Sequence, residues 1–352
     1  MNRSFMLTIL ACLVGIASAP LPAAAEIPGN RITIGVLTDL SGSNSILSGQ
    51  GSIEGARLAI AQAGAFLPGV SIELISADMP PKADAASAIA RTWLATGHVN
   101  VIADVPFSSA GLAVNEVVRN APRTIYLASG TGTSDLTGPA CSPNTVHWTY
   151  DTYALSQVVA RALVGQGLRS WFFITADYAF GHALQRDVTA VVQAAGGRVL
   201  GAAAFPGDMA DFSALLLQAK ASGAEVIGLA CTGAPFETLV KQAAEFGIAR
   251  PGAGQRLAAL LCLVTNVRAI GLPDAQGLLV TEPFYWDLDP GTRAFAATFA
   301  PRNRGIPPTM VHAGVYSATL HLLRAVAAGA DPADGAATIA AMTRMPADDP
   351  LF

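Results

Sequence analysis

One pattern constrains this chain more than any other: short apolar strands and amphipathic helices alternate along it in two successive rounds. The first round predicts strands at Ile32–Thr38, Ser71–Ala77, Val99–Val105 and Thr124–Ala128, with helices at Ser52–Ala63, Asp84–Leu94 and Ala110–Val118 between them. The rhythm breaks from Pro143 to Asp151 and then restarts. Strands are expected at Trp171–Thr175, Val199–Phe205, Val226–Ala230 and Leu257–Val264, and helices at Gly181–Ala195, Phe212–Ala221 and Phe236–Phe246. Strands joined through helices pair in parallel with right-handed crossovers, so each round predicts a doubly wound α/β lobe with a parallel sheet. Strands covered on both faces are apolar along their whole length, which accounts for 52% hydrophobic residues against 13% charged. The last third departs from the rhythm. One more strand is expected at Gly277–Phe284, followed by helices at Thr292–Phe299, Val311–Ala328 and Ala336–Met342. Successive helices after a strand imply that the chain returns to cover the first lobe.

The N-terminus reads as an export signal. Arg3 precedes an apolar run from Phe5 to Ile16, and Ala23, Ala24 and Ala25 offer a small-residue cleavage site. The run is shorter than the roughly 20 residues a membrane span requires. Cleavage after Ala25 is expected, leaving a chain of two-domain length in an extracytoplasmic compartment. The net charge of −4 and the absence of a basic run argue against nucleic acid as a partner. Cys141, Cys231 and Cys262 are widely spaced and form no paired motif, so no metal site is expected. One disulfide among them is compatible with the compartment, and so are three unpaired thiols.

In open α/β sheets the ligand sits beyond the carboxyl ends of the strands. The residues there divide by chemistry. The first round presents hydroxyls, amides and glycines: Ser41 and Asn44, Ser108 and Ser109, then Gly130, Thr131 and Thr133. The second presents aromatics around a hydroxyl: Tyr178 and Phe180, Thr232 and Phe236, and Tyr285 further on, with Tyr150 in the break. Helix N-termini among the first set favour an anion, and the aromatic set suits an apolar body. A small amphipathic solute fits both. Each group also has a structural reading: Ser109 as a helix cap, Tyr178 and Phe180 as interlobe packing, Tyr150 as hinge packing. No GxSxG, HExxH or Walker loop occurs, so catalysis and a cofactor are not expected.

Several segments together resemble one family. Ile34–Gly42 (IGVLTDLSG), Thr133–Thr137 (TSDLT), Ala176–Gly181 (ADYAFG), Ala195–Gly201 (AGGRVLG), Asp211–Ser213 and Gln242–Gly247 (QAAEFG) are similar, in order, to the branched-chain amino-acid-binding (Leu/Ile/Val) type of periplasmic solute-binding proteins of ABC transporters. The resemblance implies a type I periplasmic binding fold: two Rossmann-like lobes joined by crossover hinge strands, with the ligand in the cleft. It implies lobe one over 27–147 plus 282–345 and lobe two over 148–281. It further implies a monomer that binds a small-molecule solute by hinge closure and docks on membrane permease subunits. Ser108 and Ser109 match the loop that grips a ligand carboxylate, and Gly130–Thr133 match a loop of backbone and hydroxyl contacts. Phe180 stands where the family often has tyrosine. Thr232–Phe236 match a second-lobe ligand loop, and Tyr285 lies near a crossover. Two departures matter. Phe180 lacks the hydroxyl, and no acidic residue follows the strand ending near Val264, where amino-acid binders hold the ammonium with a carboxylate. Aromatic or aliphatic acids and amides therefore join amino acids as expected solutes. Family chains also continue past a segment like Met345–Asp349 into a closing hairpin, so the resemblance implies a missing segment after 352. The alternative roles are a ligand-sensing subunit for a membrane receptor and, from another class, a Rossmann-like enzyme.

Overall fold

The structure, a computed structural model, describes residues 30–352 apart from 98, 208 and 249–253. The expected export signal over 1–25 lies outside the described residues. The first round of the sequence folds as β1 (Arg31–Thr38), α1 (Gly49–Ala63), β2 (Ser71–Asp78), α2 (Ala83–Ala95), β3 (Val101–Asp104), α3 (Ser108–Arg119), β4 (Ile125–Ala128) and β5 (Thr145–His147). These strands form one sheet in the order β2-β1-β3-β4-β5, with every pair parallel. The second round gives α4 (Thr152–Gly165), β6 (Ser170–Ala176), α5 (Ala179–Ala194), β7 (Arg198–Phe205), α6 (Ser213–Ala221), β8 (Val226–Ala230), α7 (Gly233–Glu245) and β9 (Arg256–Ala259). Its sheet runs β7-β6-β8-β9, again all parallel. The chain is thus the expected pair of doubly wound parallel α/β lobes.

The burial of the strands follows their place in the sheet. Central β3, β4, β6 and β8 are buried at every position, whereas edge strand β7 alternates between faces. Trp171, Phe173, Phe205 and Phe212 are among the largest side chains wholly removed from solvent in the second lobe. Each contributes about 1.5–3 kcal/mol of hydrophobic stabilisation.

The remaining elements are α8 (Val264–Ile270), α9 (Leu272–Ala275), α10 (Pro290–Phe299), α11 (Met310–Ala327) and α12 (Gly335–Arg344). The last two return to the first lobe, as the run of helices implied. On α11, 16 of 18 residues are buried, so it is a central helix rather than an amphipathic cover. It lies tight against α1 because Gly51 and Gly55 clear a track on that helix. A Cβ on Gly51 would fall 2.3 Å from His312 Nε2, and one on Gly55 would fall 2.6 Å from the His312 carbonyl oxygen. The His312 ring then ties α11 to the loop ahead of α1: its Nε2 bonds the Ser48 carbonyl at 2.8 Å, while Nδ1 accepts the Thr309 N–H at 3.1 Å.

Three readings of the sequence change. The break contains a strand, β5, and a helix that the sequence reading did not place, α4, follows it before Trp171. β5 has three half-buried residues, too few to show a period, and α4 is capped by Asp151, whose carboxylate accepts the Ala154 N–H at 2.7 Å. The run Leu257–Val264 stays apolar throughout, but the strand ends at Ala259, and Leu260–Leu263 are buried past the sheet before α8 begins. The run Gly277–Phe284 forms no strand. It buries Phe284 and packs Leu278 and Leu279 against the two cores flanking the second sheet without joining the ladder. An apolar run signals burial, not pairing, and Pro283 has no N–H to donate.

Candidate functional site

Strand order reverses between β1 and β3 in one lobe and between β6 and β8 in the other. Loops diverge at such switch points and leave a crevice beyond the carboxyl ends. The loops after β1, β3 and β4 in the first lobe there meet those after β6 and β8 in the second. The Ser109 hydroxyl accepts the Ala179 N–H across the lobes at 3.4 Å. Gly233, which opens α7, lies against the Ser43 carbonyl and Asn44. Gly132 sits between Phe180 of the second lobe and Tyr150, in the segment that joins β5 to α4, where a Cβ would come 2.8 and 3.0 Å from their rings.

In the first lobe, Ser108 is buried, and its Oγ accepts the N–H groups of Gly132 at 3.3 Å and Thr133 at 3.1 Å. One hydroxyl thereby shapes the whole 130–133 loop. Gly130 receives the Tyr150 hydroxyl on its carbonyl at 3.3 Å, and Thr133 Oγ1 accepts the Asp135 N–H at 3.3 Å. The Thr131 side chain points into the lobe. Its hydroxyl donates to the Val105 carbonyl at 2.6 Å and meets the Tyr126 hydroxyl at 2.7 Å, so only its backbone remains for a ligand. Asn44 is buried; its N–H donates to Asp39 at 2.8 Å, and its Oδ1 has no partner among the described residues. Ser41 is exposed at the rim, donating to Asp78 at 2.7 Å.

In the second lobe, Tyr178 and Phe180 stack with centroids 6.2 Å apart. Burial pushes the phenols of Tyr178 and Tyr150 well above their ordinary range, so both stay protonated donors. Thr232 Oγ1 is buried without a partner among the described residues at the head of α7. Tyr285 is 40% exposed beside Trp286, at the rim. Phe236 is not gathered with the others: it lies wholly buried among Phe205, Phe212 and Leu239 in the core of its lobe. Both Phe180 and Phe236 follow a strand by a few residues, and only the turn of the helix on which each sits separates cleft from core.

Sequence reasoning missed four acidic groups. Asp39 accepts the N–H groups of Gly42 at 2.6 Å and Asn44 at 2.8 Å and so forms the loop after β1. Asp104 ends β3 with no exposed surface. Asp187 on α5 accepts the hydroxyls of Ser134 at 2.7 Å and Thr152 at 2.6 Å, and so clasps the two lobes beside the hinge. Glu282 accepts the Val264 N–H at 3.0 Å, and burial raises its carboxyl to about 7. A signal existed for Asp39, an aspartate three residues before a glycine in a turn; the other three depend on distant partners. Cys141, Cys231 and Cys262 are free, and no metal-holding cluster occurs among the described residues. Surface cavities of about 700 and 440 Å³ beside α2 and α3 are lined by Arg91, Glu116, Asn100 and Arg123, away from these loops.

A family model described as periplasmic binding protein matches residues 31–352. A periplasmic binding protein from Burkholderia mallei is 37% identical, with a TM-score of 0.86 over 92% of this chain and 84% of that one. A branched chain amino acid ABC transporter periplasmic ligand-binding protein from Burkholderia xenovorans LB400 is 33% identical, with a TM-score of 0.78 over 91% and 84% of the two chains. Leu/Ile/Val-binding protein homolog 6 of Brucella abortus (strain 2308) is 26% identical over 206 residues, which is 58% of this chain. The match spans about half the length, 51%, of that relative.

Proposed function

Since this chain belongs to the periplasmic binding protein family, we propose that it is the extracytoplasmic solute-binding component of an ABC importer, closing on a small solute with an anionic or amide head. One observation carries the head-group assignment. The helices α3, α5 and α7 start at the cleft without side-chain caps at Phe107, Tyr178 and Thr232; α2 and α6 are uncapped too, so what sets the three apart is that their starts converge beyond the carboxyl ends of β3, β6 and β8. Uncapped N-termini turn free N–H groups and the positive end of the helix dipole toward the cleft. The Ser109–Ala179 bond brings the starts of α3 and α5 together from opposite lobes. An anion between them is favoured by both lobes at once, and a ligand that binds the closed form better shifts the hinge equilibrium toward it.

In this reading Asn44, the Ser108 and Ser109 hydroxyls and the Thr131 N–H, on the Gly130–Thr133 loop that Ser108 shapes, hold the head. Tyr150, Tyr178 and Phe180 cover an apolar body, Thr232 completes the second-lobe rim of the head site, and Ser41 and Tyr285 stand at the mouth. Lobe one comprises 27–147 plus 282–345 and lobe two 148–281, with the hinge at the crossings. The protein acts as a monomer in the periplasm and delivers its solute to permease subunits. The test is a thermal-shift screen of the mature chain against branched-chain amino acids, aromatic and aliphatic carboxylates, amides and amines. Stabilisation by a carboxylate or amide, without turnover, is expected by linkage. Stabilisation by simple amines alone would overturn the head-group assignment.

A further inference from the structure

Asp104 stands at the switch point of the first lobe, under the loop that the proposed function assigns to the solute head. Its backbone and that of Val105 are both left-handed, at φ +79 and +60. Two consecutive non-glycine residues in that region, one of them β-branched, are costly and persist only where surroundings impose them. Here the Val105 N–H bonds the Leu37 carbonyl at 2.9 Å and the Gly130 N–H bonds the Asp104 carbonyl at 3.3 Å. The result turns the carboxyl inward beneath Gly130, where a Cβ on that glycine would fall 2.4 Å from Asp104 Oδ1.

The carboxyl is poorly matched to a charge. Oδ2 accepts the Thr38 hydroxyl at 2.6 Å; Oδ1 is buried with no partner within hydrogen-bond distance among the described residues, and the buried Ser52 hydroxyl, likewise without one, acts on the carboxyl as a second and weaker donor. The groups that act on it from the surrounding elements are Thr38 and Asp39 after β1, Ser52 on α1, Tyr126 on β4 and Tyr150 at the hinge. None is basic, and Asp39 is itself a carboxyl that already accepts two N–H bonds. Burial, with Asp39 nearby, raises the Asp104 carboxyl to about 7.

We propose that Asp104 is the specificity-determining residue of the first lobe: a carboxyl that holds its proton under Gly130, so that the loop above it accepts an anionic head and capture of that anion is linked to the proton. Ionised, Asp104 places a second negative charge beneath the head group. A bound anion therefore keeps the proton on Asp104, whereas a bound cation would draw it off. The inference rests on the solute-binding reading, and its test separates the two.

The whole mature chain is used. In ¹³C NMR of aspartate-labelled protein without solute, the resonance that disappears in Asp104→Asn should report a protonated carboxyl near pH 5.5 and an ionised one near pH 8.5. Asparagine tolerates left-handed backbone and mimics the neutral acid, so the variant keeps the fold. Benzoate, benzamide and benzylamine are then titrated by calorimetry at both pH values. Wild-type protein should bind benzoate on the order of thirtyfold more weakly at the higher pH, as the neutral population falls, and Asp104→Asn should bind it equally at both. An ionised carboxyl near pH 5.5, a wild-type benzoate affinity independent of pH, or a preference for benzylamine would each overturn the proposal. A preference for benzylamine in both wild type and Asp104→Asn would refute the head-group reading of the cleft, whereas an ionised carboxyl near pH 5.5 with benzoate still bound would refute the assignment of Asp104 alone.

Discussion

Replacing Asp187 by alanine should loosen the contact between the two lobes at Ser134 and Thr152, beside the 130–133 loop. Its Oδ2 accepts the Ser134 hydroxyl of lobe one at 2.7 Å and the Thr152 hydroxyl at the head of α4 at 2.6 Å. The Ser134 N–H donates in turn to Thr152 Oγ1 at 3.0 Å. The Asp187 side chain is only 12% exposed, and Thr152 is wholly buried. Hydrogen bonds to a charged, mostly buried group contribute about 1.5–3 kcal/mol each. The shared geometry of the pair and its residual exposure bring the expected loss to about 3 kcal/mol for the two together. If the loss falls on lobe closure, solute binding weakens by about a hundredfold, and small-angle scattering of the solute-free protein shows a larger radius of gyration. Arg186→Ala is the comparison. Its guanidinium, 52% exposed, pairs with Asp135 at 3.1 Å and donates to Asp187 Oδ1 and Ser134 Oγ, each at 2.9 Å, so it forms the exposed edge of the same clasp, and surface pairs of this kind are worth about 0–1 kcal/mol each and are screened by salt. The reasoning fails if Asp187→Ala leaves radius, melting temperature and affinity unchanged, or if Arg186→Ala has the larger effect at high salt.

Gly132→Ala should weaken solute binding by about five- to a hundredfold, measured by calorimetry, because a Cβ 2.8 Å from Phe180 costs roughly 1–3 kcal/mol of overpacking in the closed cleft. Phe236→Ala should cost about 3–5 kcal/mol in denaturant unfolding, with affinity retained below the melting temperature, since Phe236 lies in the core of its lobe. His312 should make stability fall with acid. Its Nδ1 already accepts the Thr309 N–H, so a proton there has no place, and burial lowers the ring to about 4. The unfolded chain binds that proton from about pH 6.5 downward and the folded one only near 4, so about 3 kcal/mol is lost between those values. Asp104 and Glu282 have the opposite slope, so the pH dependence of stability is compared between wild type and His312→Gln; identical slopes would refute the assignment.

The alternation of apolar strands and helices was sufficient for both lobes, because a sheet covered on both faces must be apolar along its strands whatever the partner. It also located the loops of the cleft, since a parallel sheet delivers its connections to one edge. Shorter pieces escaped it. β5 is too short for a period, and Gly277–Phe284 is apolar for packing rather than pairing.

Within the loops, residue type suggested chemistry but not direction. Ser108 and Thr131 are both hydroxyls beside strand ends, yet one organises the 130–133 loop and the other bonds Val105 and Tyr126 inside the lobe. Phe180 and Phe236 occupy similar places after β6 and β8, yet one stands against Gly132 of the first lobe and the other in the core. Asp104, Asp187 and His312 gain their meaning from partners 66, 53 and 264 residues away. Local sequence determines backbone period and the burial of a segment, because both depend on near neighbours. The direction of a side chain off a loop, and the charge state of a carboxyl beneath it, depend on which distant groups the fold brings alongside, and only the tertiary structure decided those.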